Sequence, residues 1–181
     1  MDKVWKIDGR LKFKEVGRNK FLIEFQSTSE RSRVLRGRPW SFDKNPVCLQ
    51  ECEASIALRD MTFSHEPFWV QFHNVPFAGI NKIMGERLGG SIGEVMIVDV
   101  DEQGRAWDSF LRVKVMVDST KPLARGRVLN MKGSHHWIPF KYERLPTFCF
   151  HCGAILHGKT SCDRFGCDGR TREDQQLQYG P

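Results

Sequence analysis

The sequence predicts an α+β fold built from two tandem βαββαβ-like sandwich modules, of which the first is truncated at its N-terminus. Two observations predict this fold. Short stretches of alternating apolar and polar residues recur through most of the chain, and each half also contains one predicted helix, indicated by a capping box in the first half and by apolar spacing in the second. A third observation sets the end of the chain apart, because a cysteine-rich segment and a polar tail without periodicity follow the predicted modules.

The first module is predicted over residues 1–58. Ser27 and Glu30 have the spacing of a capping box, which predicts a short helix that ends near Arg36. The strands predicted by alternation or apolar content are 10–16, 20–25 and 47–52. Because strand, strand, helix, strand is the order of the back half of a βαββαβ unit, we expect the opening strand and most of the first helix to be missing ahead of Met1.

The second module is predicted over residues 67–145, after a polar linker over 59–66. The pattern begins again here, and this time it is complete. A helix is predicted from one apolar face and from the two glycines that close it: Ile80, Ile83, Met84, Leu88, Gly89 and Gly90. Strands are predicted over 68–74, 95–100, 110–117, 128–131 and 136–142, with a short turn or helix at 121–125.

The charge balance favours a polyanionic partner. The chain has 28 Lys and Arg against 22 Asp and Glu, a formal net charge of +6 and a pI of about 9.1, and cationic side chains that meet phosphates release counterions. The first ten residues are charged throughout and have no apolar signal region, and no apolar stretch approaches the length of a membrane helix. We therefore expect an intracellular protein, nuclear or cytoplasmic, without a membrane partner.

Four residues towards the C-terminal end have the spacing of zinc ligands: Cys149, Cys152, His157 and Cys162. Three thiolates and one imidazole supply the four tetrahedral ligands that zinc prefers. Clustered cysteines in an intracellular chain more often hold metal than form disulfides. The C-x2-C-x4-H-x4-C pattern predicts one zinc ion in a knuckle over 146–164, followed by a disordered tail over 165–181.

A closed four-ligand site predicts a structural and not a catalytic metal, because no coordination position is left for water. The sequence also lacks a Gly-rich phosphate loop and the common hydrolase motifs. We therefore expect a non-catalytic protein. Since a segment this small buries no core of its own, metal binding is expected to supply its folding energy. Only a short connector is expected to join the knuckle to the sandwich modules.

Three residues around the predicted zinc site are candidates for nucleic-acid contact. Phe150 offers a ring on which a base can stack, whereas Lys159 and Arg144 offer positive charge to phosphate. Zinc knuckles are among the modules that read single strands, whose bases are unpaired and accessible. Single-stranded RNA or DNA is therefore the expected partner. The alternative for Phe150 is that its ring packs within the knuckle and supports the zinc turn.

Several further residues carry weaker signals. Core packing is favoured for two cysteines and three aromatic residues on predicted strands: Cys48, Cys52, Trp69, Phe72 and Phe110. Four arginines of the first helix are expected on a solvated face, with phosphate contact as the alternative: Arg31, Arg33, Arg36 and Arg38. His135 and His136 fall at a predicted turn, and Cys167 is a weaker alternative to Cys162 as a zinc ligand.

Six stretches spread over most of the chain are similar to those of a known family: Val4-Trp5, Gly37–Phe42, Pro67–Gln71, Phe110–Val115, Lys121–Leu123 and Tyr142–Pro146. The sequence thereby resembles a plant family of unknown function that occurs in retrotransposon-like proteins and is followed by a C-x2-C-x4-H-x4-C zinc knuckle. The resemblance implies a nucleic-acid-binding protein descended from, or fused to, the first reading frame of a LINE-type element. Leu156 stands where such knuckles usually have Gly.

A second functional class also fits the sequence. In this alternative the chain is a protein-interaction or assembly module that uses the sheet edge of the truncated first module, and the zinc knuckle is purely structural. An uncovered edge and apolar face would favour self-association. Salt dependence separates the two classes, because phosphate binding weakens steeply with salt and apolar association does not.

Overall fold

A computed structural model of the chain describes Trp5, Ile7 and residues 11–52, 56–150 and 152–156. Within these residues the protein has nine β-strands, two α-helices and two short 3-10 helices. The predicted mixture of helices with a majority of strands is confirmed. The chain divides into two compact units, the first of Met1–Arg38 and Cys48–Phe63, the second of Pro39–Val47 and Ser64–Pro181.

The first unit contains a β-hairpin and one helix. Strands β1 (Lys12–Gly17) and β2 (Lys20–Glu24) pair antiparallel across a turn in which Asn19 has a φ of +56°. Asparagine tolerates this left-handed conformation better than most residues, which explains the tight reversal. Helix α1 (Thr28–Arg36) follows, and its Val34 side chain is buried.

Two details of the first predicted module are wrong. Ser27 does stand at the N-cap of α1, but its hydroxyl pairs with the Ser29 hydroxyl at 2.7 Å and makes no capping bond, so the predicted capping box is not formed. The strand predicted over 47–52 lies earlier in the chain. Asp43 and Lys44 both have positive φ and make a two-residue turn between two short paired strands. The second of these strands ends at Val47, where the predicted strand was to begin.

Five antiparallel strands form the sheet of the second unit, in the order β6-β7-β5-β9-β8. They are β5 (His65–His73), β6 (Gly93–Val98), β7 (Phe110–Asp118), β8 (Gly126–Met131) and β9 (Ser134–Tyr142). A separate hairpin of β3 (Trp40–Phe42) and β4 (Asn45–Val47) also groups with this unit, although it lies within the span 1–58 predicted as the first module.

The core of the second unit lies on one face of this sheet. Alternate residues of the two central strands are buried there: Phe68, Val70 and Phe72 of β5, and Leu111, Val113, Val115 and Val117 of β7. This is the period-2 pattern from which the strands were predicted. The hairpin of β8 and β9 is also confirmed, with a tighter turn at Lys132-Gly133, so that His135 and His136 lie in β9 and not in the turn.

Helix α2 (Lys82–Gly90) packs on the same face, against β6 and β7. The side chain of Asn81 caps it by accepting a hydrogen bond from the Met84 N–H at 3.0 Å. The predicted apolar face is wrong at Ile83, which is 78% exposed. The buried face instead contains Gly85, Leu88 and Gly89, because the glycines let the helix backbone approach the valines of the sheet.

The tandem sandwich modules are not confirmed in the form predicted. The strand order β6-β7-β5-β9 is the order that a βαββαβ unit gives, with α2 as its first helix. However, residues 119–125, where the second helix would begin, form a turn and an extended segment, and β8 follows. Neither helix in the described part of the chain has the length and apolar character to cross a membrane.

Candidate zinc and nucleic-acid site

Two predicted zinc ligands, Cys149 and Cys152, lie on a tight turn after β9 and are both buried. The Gly153 N–H donates to the Cys149 carbonyl at 2.7 Å, and the Cys149 N–H donates to the Ala154 carbonyl at 2.9 Å. Gly153 has a φ of +74°, a conformation that a side chain would strain. The turn therefore holds two buried thiol groups close together in sequence and space, as the first half of a zinc knuckle requires.

The turn is anchored to the sheet by backbone hydrogen bonds. The Ser119 carbonyl, in the loop after β7, accepts hydrogen bonds from the N–H groups of Ile155 and Leu156 at 3.3 and 3.4 Å. In the same loop, the Leu123 N–H donates a hydrogen bond of 3.0 Å to the Gly153 carbonyl. The Ile155 side chain is 2% exposed and belongs to the core beneath the sheet. The expectation that a short connector alone joins the knuckle to the rest of the chain is therefore wrong, because this segment contributes to that core.

The remaining predicted ligands, His157 and Cys162, lie outside the described residues, as do Lys159 and Cys167. Within the described residues no group of three or more His, Cys, Asp or Glu side chains is placed to hold a metal. The part of the site that is described suits zinc, since its donors are two buried thiols on a glycine-relieved turn. The four-ligand set stays a prediction.

Phe150 lies between the two cysteines and is half-buried. Its ring contacts that of Phe148 edge to face, with centroids 5.0 Å apart and an interplanar angle of 71°. Phe148 in turn packs against the core of the second unit. The ring of Phe150 is therefore held in place on one side. Both roles predicted from the sequence, base stacking and support of the zinc turn, are compatible with this position.

Arg144 precedes the knuckle and is exposed, with a φ of +51°. Its guanidinium lies over the indole of Trp40, with its central carbon 5.7 Å from the ring centroid. The Thr147 N–H donates to the Lys44 carbonyl at 2.7 Å. These contacts bring the β3–β4 hairpin beside the segment that leads into the knuckle, so that Arg144 and Trp40 lie on a common surface.

The other sequence candidates are separated by the structure. Cys48 is partly exposed, Cys52 is exposed, and neither lies on a strand, so the expected core packing is wrong for both because the predicted strand 47–52 does not form. Phe72 is in the core as expected, with no exposed surface. Trp69 and Phe110 alternate with core residues and lie on the opposite face of the sheet, partly exposed.

An ion-pair network on that opposite face was missed by the sequence reasoning. The Arg112 guanidinium stacks on Trp69, 3.9 Å from the ring centroid, and donates two hydrogen bonds of 2.8 and 2.9 Å to the Glu143 carboxylate. A third, of 3.0 Å, goes to Asp99. The hydrogen bonds from Arg112 lower the pKa of Glu143, and a further bond from Gln71 adds to the effect. The only signal in the sequence was the alternation itself.

His73 lies on the same face and packs against Phe110 from the neighbouring strand. The ring centroids are 5.1 Å apart with an interplanar angle of 39°, and His73 Nε2 is 3.1 Å from Gln71 Oε1. Burial lowers the pKa of His73, and the positive charge of Lys141 lowers it further. Both effects favour the neutral form of the imidazole.

Comparison with known families places two matches on the chain. Residues 1–58 match the family described as Domain of unknown function (DUF4283), and residues 117–164 match the family described as Zinc knuckle. This combination is typical of plant retrotransposon-related proteins, so the resemblance identified from the sequence is confirmed. No curated protein and no solved structure matches the chain significantly.

The zinc-knuckle match bears directly on the site. A knuckle of the CCHC type implies zinc binding, which supports the metal predicted from the cysteine spacing, and it suggests nucleic-acid binding in general terms. The match begins at Val117, near the end of β7, and extends through β8 and β9 to the cysteines. This extent agrees with the anchoring of the zinc turn to the loop after β7.

Proposed function

We propose that this chain is a non-catalytic, zinc-dependent binder of single-stranded RNA or DNA, derived from a retrotransposon. The observation that carries the proposal is the buried turn of Cys149 and Cys152, which falls within a zinc-knuckle match and is braced against the sheet. One zinc ion, completed by His157 and Cys162, would fix this turn. Because reduced thiols are needed to hold the metal, we place the site of action inside the cell, in the nucleus or cytoplasm.

The binding contacts follow from the groups around the turn. Phe150 presents an aromatic ring whose orientation is fixed by Phe148, and a fixed ring is a suitable platform for an unpaired base. Arg144 is exposed beside the Trp40 indole and can reach a phosphate. Lys159 would add a further phosphate contact from beyond the described residues. Stacked, paired bases cannot reach such a ring, so duplex DNA should bind less well than single strands.

A titration with fluorescent single-stranded oligonucleotides, at two salt concentrations and with or without a chelator, tests the proposal. Binding should weaken with salt and be lost when zinc is removed. Replacing Phe150→Ala should weaken binding by roughly 1–3 kcal/mol at saturating zinc without changing the salt dependence. Lys159→Ala should instead reduce the slope of log affinity against log salt by about 1, the value for one phosphate contact. Absence of binding by the zinc-loaded wild-type protein would refute the proposal.

The same variant separates the two roles of Phe150. If the ring only supports the zinc turn through its contact with Phe148, Phe150→Ala will lower zinc affinity and leave nucleic-acid binding unchanged at saturating zinc. If the ring stacks on a base, the opposite pattern is expected. Zinc affinity by competition with a metal indicator and oligonucleotide affinity, both measured on the one variant, distinguish these outcomes.

A specific observation also favours the second functional class, a protein-interaction or assembly module. The hairpin of the first unit carries two exposed rings, Phe13 at 48% and Phe21 at 57%. Exposed aromatic residues on a two-stranded sheet are typical of surfaces that pair with another chain. Sedimentation of the full chain would reveal concentration-dependent self-association that weakens in a Phe13→Ser, Phe21→Ser double variant. A monomer at all concentrations would exclude self-association.

A further inference from the structure

We propose that a second surface for single-stranded nucleic acid lies on the sheet of the second unit, on the face opposite α2, with the Phe110 and His73 rings as its base-stacking platform and Lys141 as its phosphate contact. The inference rests on the proposed function, because it assigns a second contact region to the same ligand. It is carried by contacts within the second unit alone.

The face of the sheet opposite α2 presents the side chains that alternate with the core residues of the central strands. Helix α2 packs against Val113 and Val115, so the side chains that alternate with these valines point away from the helix. On the two central strands this face includes Pro67, Met116 and Asp118. Its other members between 67 and 73 and between 110 and 118 are aromatic, amide or cationic: Trp69, Gln71 and His73 of β5, and Phe110, Arg112 and Lys114 of β7. Rings and cations of this kind can contact the bases and phosphates of a single strand.

The proposed platform consists of two neighbouring rings on this face. His73 and Phe110 occupy directly paired positions of β5 and β7, and their rings lie 5.1 Å apart. Both are partly exposed, and the bond between His73 and Gln71 fixes the imidazole. Sheet-based RNA binders use rings on their central strands to stack two or three bases. A fixed pair of rings on paired central strands meets the same requirement here.

The positive charge beside the two rings comes from Lys141. Lys141 is exposed and is paired in register with Gln71, which places it next to the platform, where its charge also affects the pKa of His73. No carboxylate among the described residues forms a salt bridge with it. The nearby acidic groups, Glu143 and Asp99, are instead bound by Arg112. The cation next to the rings is therefore available to a phosphate, while the two neighbouring carboxylates share the Arg112 guanidinium.

Only one end of the sheet face opposite α2 is open enough to bind a base. Pro67, towards the start of β5, and Lys114, in the middle of β7, are buried, whereas the end of the face that contains His73 and Phe110 is partly open. Trp69 is covered on one side by the Arg112 guanidinium, which is itself held by Glu143. The platform is thus limited to the two rings, and one or two bases is the number it can hold.

The experiment measures binding of the full zinc-loaded chain to a single-stranded oligonucleotide after Phe110→Leu, which removes the ring and keeps an apolar side chain against His73. We expect affinity to fall about 5- to 150-fold, the range that corresponds to the loss of one base–aromatic stack. Phe110→Tyr, which keeps the ring, should bind like the wild type. The matched control is Phe21→Leu, the same change at an exposed ring in the first unit, and it should leave affinity unchanged.

A second variant tests the same surface without changing the packing of Phe110 on the sheet. Lys141→Gln alters an exposed side chain, and it should reduce the slope of log affinity against log salt by about 0.7, the value for one phosphate contact on a single strand. Lys82→Gln removes a charge that is also exposed, from α2 on the other face of the sheet, and should not change the slope. Crosslinking by ultraviolet light should attach the oligonucleotide to the peptide that contains Phe110.

The outcomes separate this inference from the proposed function. If Phe150→Ala and zinc removal weaken binding while Phe110→Leu and Lys141→Gln do not, the sheet surface is refuted and the proposed function stands. If the zinc-loaded wild type binds no oligonucleotide, the proposed function itself fails. If Phe110→Leu changes only association with a protein or with a second copy of the chain, the surface is a protein interface and the inference is overturned.

Discussion

The backbone N–H of Leu123 donates a hydrogen bond of 3.0 Å to the carbonyl of Gly153 and thereby joins the loop after β7 to the turn of the predicted zinc ligands. Leu123 is 4% exposed, and Ile155, two residues beyond Gly153, is 2% exposed in the same core. The zinc turn and the sheet therefore share buried surface, and any change that loosens one should destabilise the other.

Ile155 provides the most direct test of this coupling. Ile155→Ala should destabilise the second unit by about 2–5 kcal/mol, because it deletes a fully buried aliphatic side chain and leaves a cavity. The neighbouring Leu156 is 41% exposed, so Leu156→Ala should change stability by no more than about 0.5 kcal/mol. Urea unfolding of the zinc-loaded chain measures both. Similar effects of the two variants would show that Ile155 is not part of the core.

Zinc removal is the second prediction. The purified, reduced chain should contain about one zinc ion per molecule, since the predicted site has four ligands. Chelation, or Cys152→Ser, should lower the thermal midpoint of the second unit and not merely release the tail, because the turn contributes Ile155 to the core. Metal analysis and calorimetry check the two parts, with Cys52→Ser, at an exposed cysteine, as the control. A protein without zinc, or an unchanged midpoint after chelation, would contradict this.

The sequence predicts the strands of the second unit well because alternate apolar residues of the central strands pack into the core on one face. Phe68, Val70 and Phe72 are all buried, whereas the residues between them are not core residues of that face. The same alternation was taken to favour core packing for Trp69 and Phe110, which in fact lie on the opposite face and are partly exposed. Spacing shows that two residues lie on opposite faces, but it does not show which face is covered, and that choice depends on where α2 and the zinc turn pack.

Tertiary contacts explain what the sequence could not predict. Ile83 fits a helical apolar stripe, yet the helix turns Gly85 and Gly89 to the sheet, where the absence of a Cβ lets the backbone approach the valine side chains closely. The anchoring of the knuckle depends on backbone groups of Ser119 and Leu123, which any residue type can supply. Spacing of the cysteines therefore indicates the metal but not where its turn is anchored.

The contact between α2 and the sheet leads to the third prediction. A Cβ added at Gly89 would lie 2.7 Å from Val95 Cγ2 and 3.1 Å from Val113 Cγ1, whereas one added at Gly90 would meet nothing within 4 Å. Gly89→Ala should therefore destabilise the unit by about 1–3 kcal/mol through overpacking. Gly90→Ala should be neutral or stabilise it by up to about 1 kcal/mol, because alanine favours the helix. Denaturant unfolding compares them, and a stabilising Gly89→Ala would contradict the close packing.

The last prediction concerns the pH dependence of the ion pair between Arg112 and Glu143. Hydrogen bonds from Arg112 lower the pKa of Glu143 below its ordinary value of 4.5, so the folded state binds this proton less readily than the unfolded state. The pair therefore stabilises the fold above pH 4.5, and this contribution is lost as the pH falls through the folded-state pKa. Glu143→Gln should lower the free energy of unfolding by on the order of 1 kcal/mol at neutral pH, and its difference from the wild type should shrink below pH 4.5.

Urea unfolding at a series of pH values measures this difference, with the same substitution in an Arg112→Gln background as the control. In that background the pH-dependent difference should largely disappear, because the main cause of the shift has been removed. A difference of equal size with and without Arg112 would show that the guanidinium does not set the ionisation of Glu143.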